Sequence, residues 1–298
     1  MIAALVALAL AGAPALGGDN AEVAAPAGAL AVAADRATSD PGYRFARALA
    51  EAGPRPAGSA AERRAHARVE KRFRAAGLRI GHDRFRVPGH GRSRNVVGIY
   101  DTPADCLVVL IAHTDSAPPA PGADDNASGV GTLVALAPRL PAVQPTCDVW
   151  LIASGAEERP YTGAADHLGA RAAVPRVKRR AQDLRFVLSL DEVGRGRTFH
   201  LRSPAARPRR SVERAVVRAG RGTVRWVKDS GTGNSDHREF ALAGLPAAKL
   251  GVPDDPCRHT TCDRPSRLQA GTFPLVRGIV ERLLSQASSS SEGSGRLR

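Results

Sequence analysis

Lysine is nearly missing from this chain. Of its 43 basic residues only Lys71, Lys178, Lys228 and Lys249 are lysines, and the arginines are scattered rather than gathered into a stripe. The scatter argues against a nucleic-acid-binding module, which clusters cations to neutralise phosphates and release counterions, even though the formal charge is +14. The short runs Lys178-Arg179-Arg180 and Arg207-Pro208-Arg209-Arg210 read as solvated surface. Aromatic residues make up only 4% of the chain, so any core must be filled by Leu, Val, Ala and Ile. No apolar run reaches the roughly 20 residues a membrane span requires. The opening run, Ile2 to Leu10, soon meets Gly12 and Pro14. A Gly-x-Ser-x-Gly elbow is also lacking. Ser235-Asp236-His237 cannot act as a relay merely by being adjacent, and it reads as a loop and helix start lining a cleft, or as an N-cap. No internal repeat is present.

What remains is a chain of 298 residues, 43% hydrophobic, a size that suits one α/β domain with tails. Residues 1–17 have the apolar stretch and small-residue sites of a signal peptide, which points to a secreted or extracytoplasmic protein. Residues 18–38 read as an Ala-rich N-terminal linker, 39–285 as the folded domain, and 286–298 as a polar, disordered tail. Four cysteines, an even number, fit an oxidising compartment. Of the three possible connectivities, the close pair Cys257 and Cys262 with the distant pair Cys106 and Cys147 is the expected one.

Within the domain, helical and strand-like patterns alternate. Ala60 to Ala76 has helical spacing and stops at Gly77, and Val130 to Leu140 is a second helical run. Val96 to Tyr100, Leu107 to Ala112, Val149 to Ala153 and Phe186 to Leu190 are short, nearly continuous apolar runs, the pattern of strands buried on both faces. Helices between several of them imply crossover connections, hence an α/β fold with a largely parallel sheet sandwiched by helices. Three of these runs lead into polar clusters, and ligands of open α/β sheets bind beyond the carboxyl ends of strands.

The clusters are rich in potential metal ligands. His113-Thr114-Asp115 puts an imidazole at a strand end, with a carboxylate two residues on that can orient it. Gly122-Ala123-Asp124-Asp125-Asn126-Ala127-Ser128-Gly129 gathers adjacent carboxylates in a Gly-bounded loop, and one carboxylate can bridge two ions. An N-capping role explains one of those acids but not the whole cluster. Glu157-Glu158 follows the next strand. One of the pair can bind metal while the other reaches water, although a solvated helix start would look the same in isolation. Asp191 again ends a strand, with Glu192 as its local competitor, and His259 lies between Cys257 and Cys262.

In this order the motifs resemble peptidase family M28, the co-catalytic zinc aminopeptidases, and in particular secreted bacterial leucyl aminopeptidase-like members. Gly53-Pro54-Arg55-Pro56-Ala57-Gly58-Ser59 is similar to the segment that opens the family's domain, and the likeness covers roughly residues 40 to 285. The resemblance implies a three-layer α/β/α sandwich with a mostly parallel mixed sheet and two zinc ions per chain. His113 and Asp191 would bind one ion, Glu158 and His259 the other, and Asp125 rather than Asp124 would bridge them. Glu157 would be the general base and Asp115 the orienter of His113. Two zinc ions roughly 3.5 to 4 Å apart can share a water and polarise a scissile carbonyl. The implied substrates are peptides or proteins with a free N-terminus, and a monomer without nucleic-acid partners or a stable membrane span is expected. Where the family often has Tyr before the last His, this chain has Arg258, and Arg159-Pro160-Tyr161-Thr162-Gly163-Ala164 is not the commonest version of its segment. Two other readings exist: a glutaminyl cyclase-like enzyme with one zinc, and a noncatalytic binding ectodomain of the same fold.

Overall fold

A computed structural model describes residues 38–163, 166–180 and 183–286. The expected signal peptide and tail therefore lie outside the described residues, apart from Gln286, and so does the linker as far as residue 37. Helix α1 (Pro41–Glu51) starts where the Asp40 carboxylate accepts from the amides of Gly42 and Tyr43, with Pro41 pre-set for the first turn. Helix α2 (Ala60–Ala75) is capped by the Ser59 hydroxyl, which accepts from the Glu62 amide. It ends at Gly77, whose φ of +80° lies in the left-handed region that glycine adopts without a Cβ clash.

Strands β1 (Arg79–Val87) and β2 (Gly91–Tyr100) form an antiparallel pair. Strand β3 (Cys106–His113) is buried at every position. After a wide turn over Ala123–Ser128 come helix α3 (Gly129–Leu136), a short turn containing Pro138, and helix α4 (Leu140–Val143). The single helix expected over 130–140 is thus interrupted, because proline lacks the N–H that continues the ladder. Strand β4 (Asp148–Ser154), helices α5 (Arg159–Thr162) and α6 (Leu168–Arg180), and strand β5 (Asp183–Leu190) follow. The chain closes with β6 (Phe199–Ser203), α7 (Glu213–Ala219), β7 (Val224–Lys228), α8 (His237–Leu242), β8 (Ala247–Gly251) and α9 (Thr272–Gln286).

The eight strands form one sheet in the order β1-β2-β4-β3-β5-β8-β6-β7. The central neighbours β4-β3-β5-β8 are parallel. The pairs β1-β2, β2-β4 and β8-β6 are antiparallel, so the sheet is mixed around a parallel centre. Alternation along β3 shows why its run is continuously apolar. Val108, Leu110 and Ala112 join a core with Leu49, Val69 and Phe273 on one face. Leu107, Val109 and Ile111 join Ala170, Ala173 and Phe240 on the other. The result is the three-layer α/β/α sandwich expected from the sequence. Cysteines pair as Cys106–Cys147 and Cys257–Cys262, the expected connectivity. No helix among the described residues is long and apolar enough to cross a membrane.

Candidate metal centre

Parallel register brings the polar clusters together. His113, the last residue of β3, lies opposite Ser154 of β4, and Asp191 follows the end of β5 on the other side. Around His113 Nε2 lie Asp125 Oδ1 at 3.1 Å, Asp191 Oδ1 at 3.6 Å and Glu157 Oε2 at 3.9 Å. His259 Nε2 lies 3.2 Å from Asp125 Oδ2 and 2.9 Å from Glu158 Oε2. The two oxygens of Asp125 therefore face different imidazoles. Two overlapping triplets, His113 with Glu157 and Asp191 and His113 with Asp125 and Glu158, are compact enough to hold an ion.

Other residues hold this turn and its neighbours in place. Asp263 accepts from the Asp124 and Asp125 amides at 2.7 and 3.0 Å. Asp124 turns away, accepting from the Gly194 amide and from Arg195 Nε. The Asp125–Asn126 peptide is cis. Arg55, 1% exposed, donates to the carbonyls of Thr114, Pro121 and Gly122 and so ties the segment after β3 to the acidic turn. Burial lowers its guanidinium to about 10. Asp115 sits beneath the glutamates: its carboxylate accepts from the Glu157 amide at 3.0 and 3.1 Å and from the Glu158 amide at 3.1 Å. Its nearest carboxylate oxygen is 3.8 Å from His113 Nδ1, whereas its main-chain oxygen is 3.2 Å away. The main-chain oxygen is the one within hydrogen-bond reach of the imidazole.

The electrostatics are those of a cation site. Burial, then Asp125, drives Glu158 up to about 8. Burial alone would lower His113, but Glu157, Asp125 and Asp191 hold it well above its ordinary value. Burial likewise opposes His259, which Asp125 and Glu158 raise to about 10. Buried atoms without a hydrogen-bond partner include His113 Nε2, Asp125 Oδ1, both Glu158 and Asp191 carboxylate oxygens, and His259 Nε2. Buried polar atoms are rarely left so, and imidazole nitrogens converging with carboxylate oxygens are the donor set that zinc takes. The residues fit a metal.

Several participants escaped the sequence reading. His167 Nε2 is 3.0 Å from Glu157 Oε1, and nothing near His167 in the sequence announces the contact. Lys249, 3% exposed, places Nζ 3.0 Å from Asp191 Oδ2 and 3.1 Å from Glu192 Oε2. A lysine in an apolar strand run was its available signal. Glu192 faces this lysine, and it is Asp191 that approaches His113. Ser235, Asp236 and His237 part company: Ser235 bonds Ser189, Asp236 accepts from Ser154, and His237 pairs with Asp229. The arrangement is not a hydrolase triad. Arg258 Nε lies 3.1 Å from Asp125 Oδ2.

A parallel-centred sandwich with converging imidazoles and carboxylates at its strand ends has the fold of the zinc exopeptidases, with a candidate metal site where their sheets end. The model of peptidase family M28 matches residues 95–283, and the chain belongs to that family. The uncharacterised protein YfbL of Escherichia coli K12 is 30% identical over 134 residues, covering 42% of this chain and 40% of that protein. The match thus spans less than half the length of this relative. BSAP, a zinc aminopeptidase from Bacillus subtilis, has a similar structure, with a TM-score of 0.74 at 16% identity, covering 85% of this chain and 96% of that one. A glutaminyl cyclase from Bacteroides thetaiotaomicron, bound to N-acetylhistamine, gives 0.70 at 22% identity, covering 83% and 97%.

Proposed function

We propose that this chain is a secreted zinc-dependent aminopeptidase that hydrolyses the N-terminal peptide bond of peptides or proteins. The observation that carries the reading is the division of Asp125, with Oδ1 beside His113 and Oδ2 beside His259. In this reading His113 and Asp191 hold one zinc ion, Glu158 and His259 a second, and Asp125 serves both. Bound zinc supplies Lewis acidity, which makes a water acidic and a carbonyl electrophilic.

Glu157 is the general base. It lines the cavity beside the cluster and is anchored through Oε1 by His167. Its carboxylate takes the proton of the attacking water and delivers it to the leaving nitrogen. Asp115 positions both glutamates by holding their amides. Neighbouring carboxylates also suit a free α-ammonium group, which makes cleavage exo. Two disulfides favour an extracytoplasmic setting.

Glu157→Gln is expected to keep its metal content, measured by elemental analysis, while turnover of aminoacyl anilides falls at least about a hundredfold. Near-normal turnover would remove Glu157 from the role of base. The likeness to a glutaminyl cyclase keeps a one-zinc cyclase as the second reading. A measured content of one zinc per chain, with cyclisation of N-terminal glutamine, would make it the first.

A further inference from the structure

The cavity beside the cluster encloses about 320 Å³ and opens onto Glu157, Glu158 and His259. Much of its wall is carbon, yet three arginines, Arg159, Arg238 and Arg258, line it, and among the described residues Pro160 alone supplies a purely hydrocarbon side chain. Which of its charges are already committed decides what it would accept.

Asp166 and Glu157 are paired, and Glu158 belongs to the metal cluster. Asp166 takes hydrogen bonds from both terminal nitrogens of Arg238 at 3.0 and 3.1 Å, and Arg238 gives its remaining Nε to Glu239. Glu158 faces His259 and Glu157 faces His167. Two guanidiniums keep side-chain donors without an acceptor, although one of them, Arg258, is already ion-paired with Asp125. The Arg258 guanidinium donates Nε to Asp125, and its two terminal nitrogens have no acceptor among the described residues. The guanidinium of Arg159, exposed at the start of α5, has no hydrogen-bonding or ionic partner among the described residues. The charge left for a ligand is therefore positive and carried on planar forks that match a carboxylate. An aliphatic side chain would desolvate those guanidiniums without compensation, and a side-chain ammonium placed against them, unlike an α-ammonium beside the glutamates, would meet like charge.

We propose that this cavity is a carboxylate subsite, and that the preferred substrates present a carboxylate close to the scissile bond. Two parts of a peptide can supply it: the side chain of an N-terminal aspartate or glutamate, or the α-carboxylate of a dipeptide. The proposal rests on the aminopeptidase reading. Arg159 and Arg258 are its specificity-determining residues.

The test measures kcat/KM of the zinc-loaded full chain for Glu, Asp, Gln, Leu and Lys anilides, and for Leu-Ala and Leu-Ala amide. Preference for Glu over its neutral isostere Gln by about tenfold or more identifies the side-chain source, and a similar preference for Leu-Ala over its amide identifies the α-carboxylate. Arg159→Gln is expected to shrink whichever ratio is found by about fivefold or more. Cleavage of Leu anilide with both ratios within about twofold overturns the subsite and leaves the aminopeptidase reading standing. If no substrate is cleaved the aminopeptidase reading fails, and calorimetry with the α-amides of glutamate and glutamine, and with Leu-Ala and its amide, decides the subsite. Binding about tenfold tighter for the carboxylate of either pair upholds it, and equal or undetectable binding in both pairs overturns it.

Discussion

His66 lies on α2 with its Nε2 3.3 Å from the Ser154 carbonyl and no partner at Nδ1. Burial pulls its imidazole down to about 4. An unfolded histidine titrates near 6.5, so between about 4 and about 6.5 the unfolded chain binds the extra proton and stability falls with pH, by about 1.4 kcal/mol per unit for this one group. Glu62, one turn earlier, works in the opposite sense: burial, then Asp115, raises it to about 8, so its contribution is full below its unfolded value and is lost as pH rises through about 8. Comparing urea midpoints of the parent chain and His66→Gln at about pH 4.5 and about pH 7 isolates the histidine, and the parent is expected to lose more on acidification. Equal losses would take His66 out of the balance. At this scale the sequence revealed residues whose chemistry is announced by position, such as His113 and Asp191 at the ends of apolar runs. It could not reveal the contact of His167 with Glu157 across the intervening loop, nor the partners of Lys249 and Asp263, which come from distant segments. Nor could it show that the Asp115 carboxylate meets the amides of Glu157 and Glu158, because that depends on the path of the chain beyond Ser154.

Strands β3 and β4 are neighbours whose first turns are tied by Cys106–Cys147 across a sequence separation of 41. Chain-entropy reasoning puts the stabilisation from closing such a loop at about 4 kcal/mol. Replacing both cysteines by serine is expected to lower the unfolding free energy by an amount of that order in equilibrium denaturation. A loss below about 1 kcal/mol would mean that the unfolded chain gains little from being released. The same central strands were the legible ones, because burial on both faces leaves only apolar residues along them. Strand β1 is mostly part-exposed, with Arg79, His82, Asp83, Arg84 and Arg86 along it, and its pattern resembles a loop. The short β6 and β7 alternate or carry charge, and they acquire strand character only by pairing. Pro138 explains the interrupted helix, yet the chain resumes a helical path at once because Pro141 suits a first turn.

For the molecule as a whole, loading with metal should be a folding event as much as a catalytic one. Mutual repulsion among the buried carboxylates around Asp125 is relieved by bound cations. Zinc at about a hundred times its Kd adds about 2.7 kcal/mol per site. Melting temperatures should therefore rise by on the order of 5 to 10 °C for each site filled and fall back on chelation. A melting temperature that zinc and chelator leave unmoved would remove the metal centre. The family-wide likeness in architecture was accessible from the order of motifs, whereas the arginine-lined cavity was not, since Arg159, Arg238 and Arg258 meet only once the sheet is assembled. Asp263 and His259 belong to one late segment, and that segment supplies an imidazole to the centre and also braces the turn holding Asp125. A chain emerging from the ribosome has neither until this segment is made. In the proposed site a product truncated before this segment would therefore forfeit a ligand and the support of another in one stroke, and would not be expected to accept zinc.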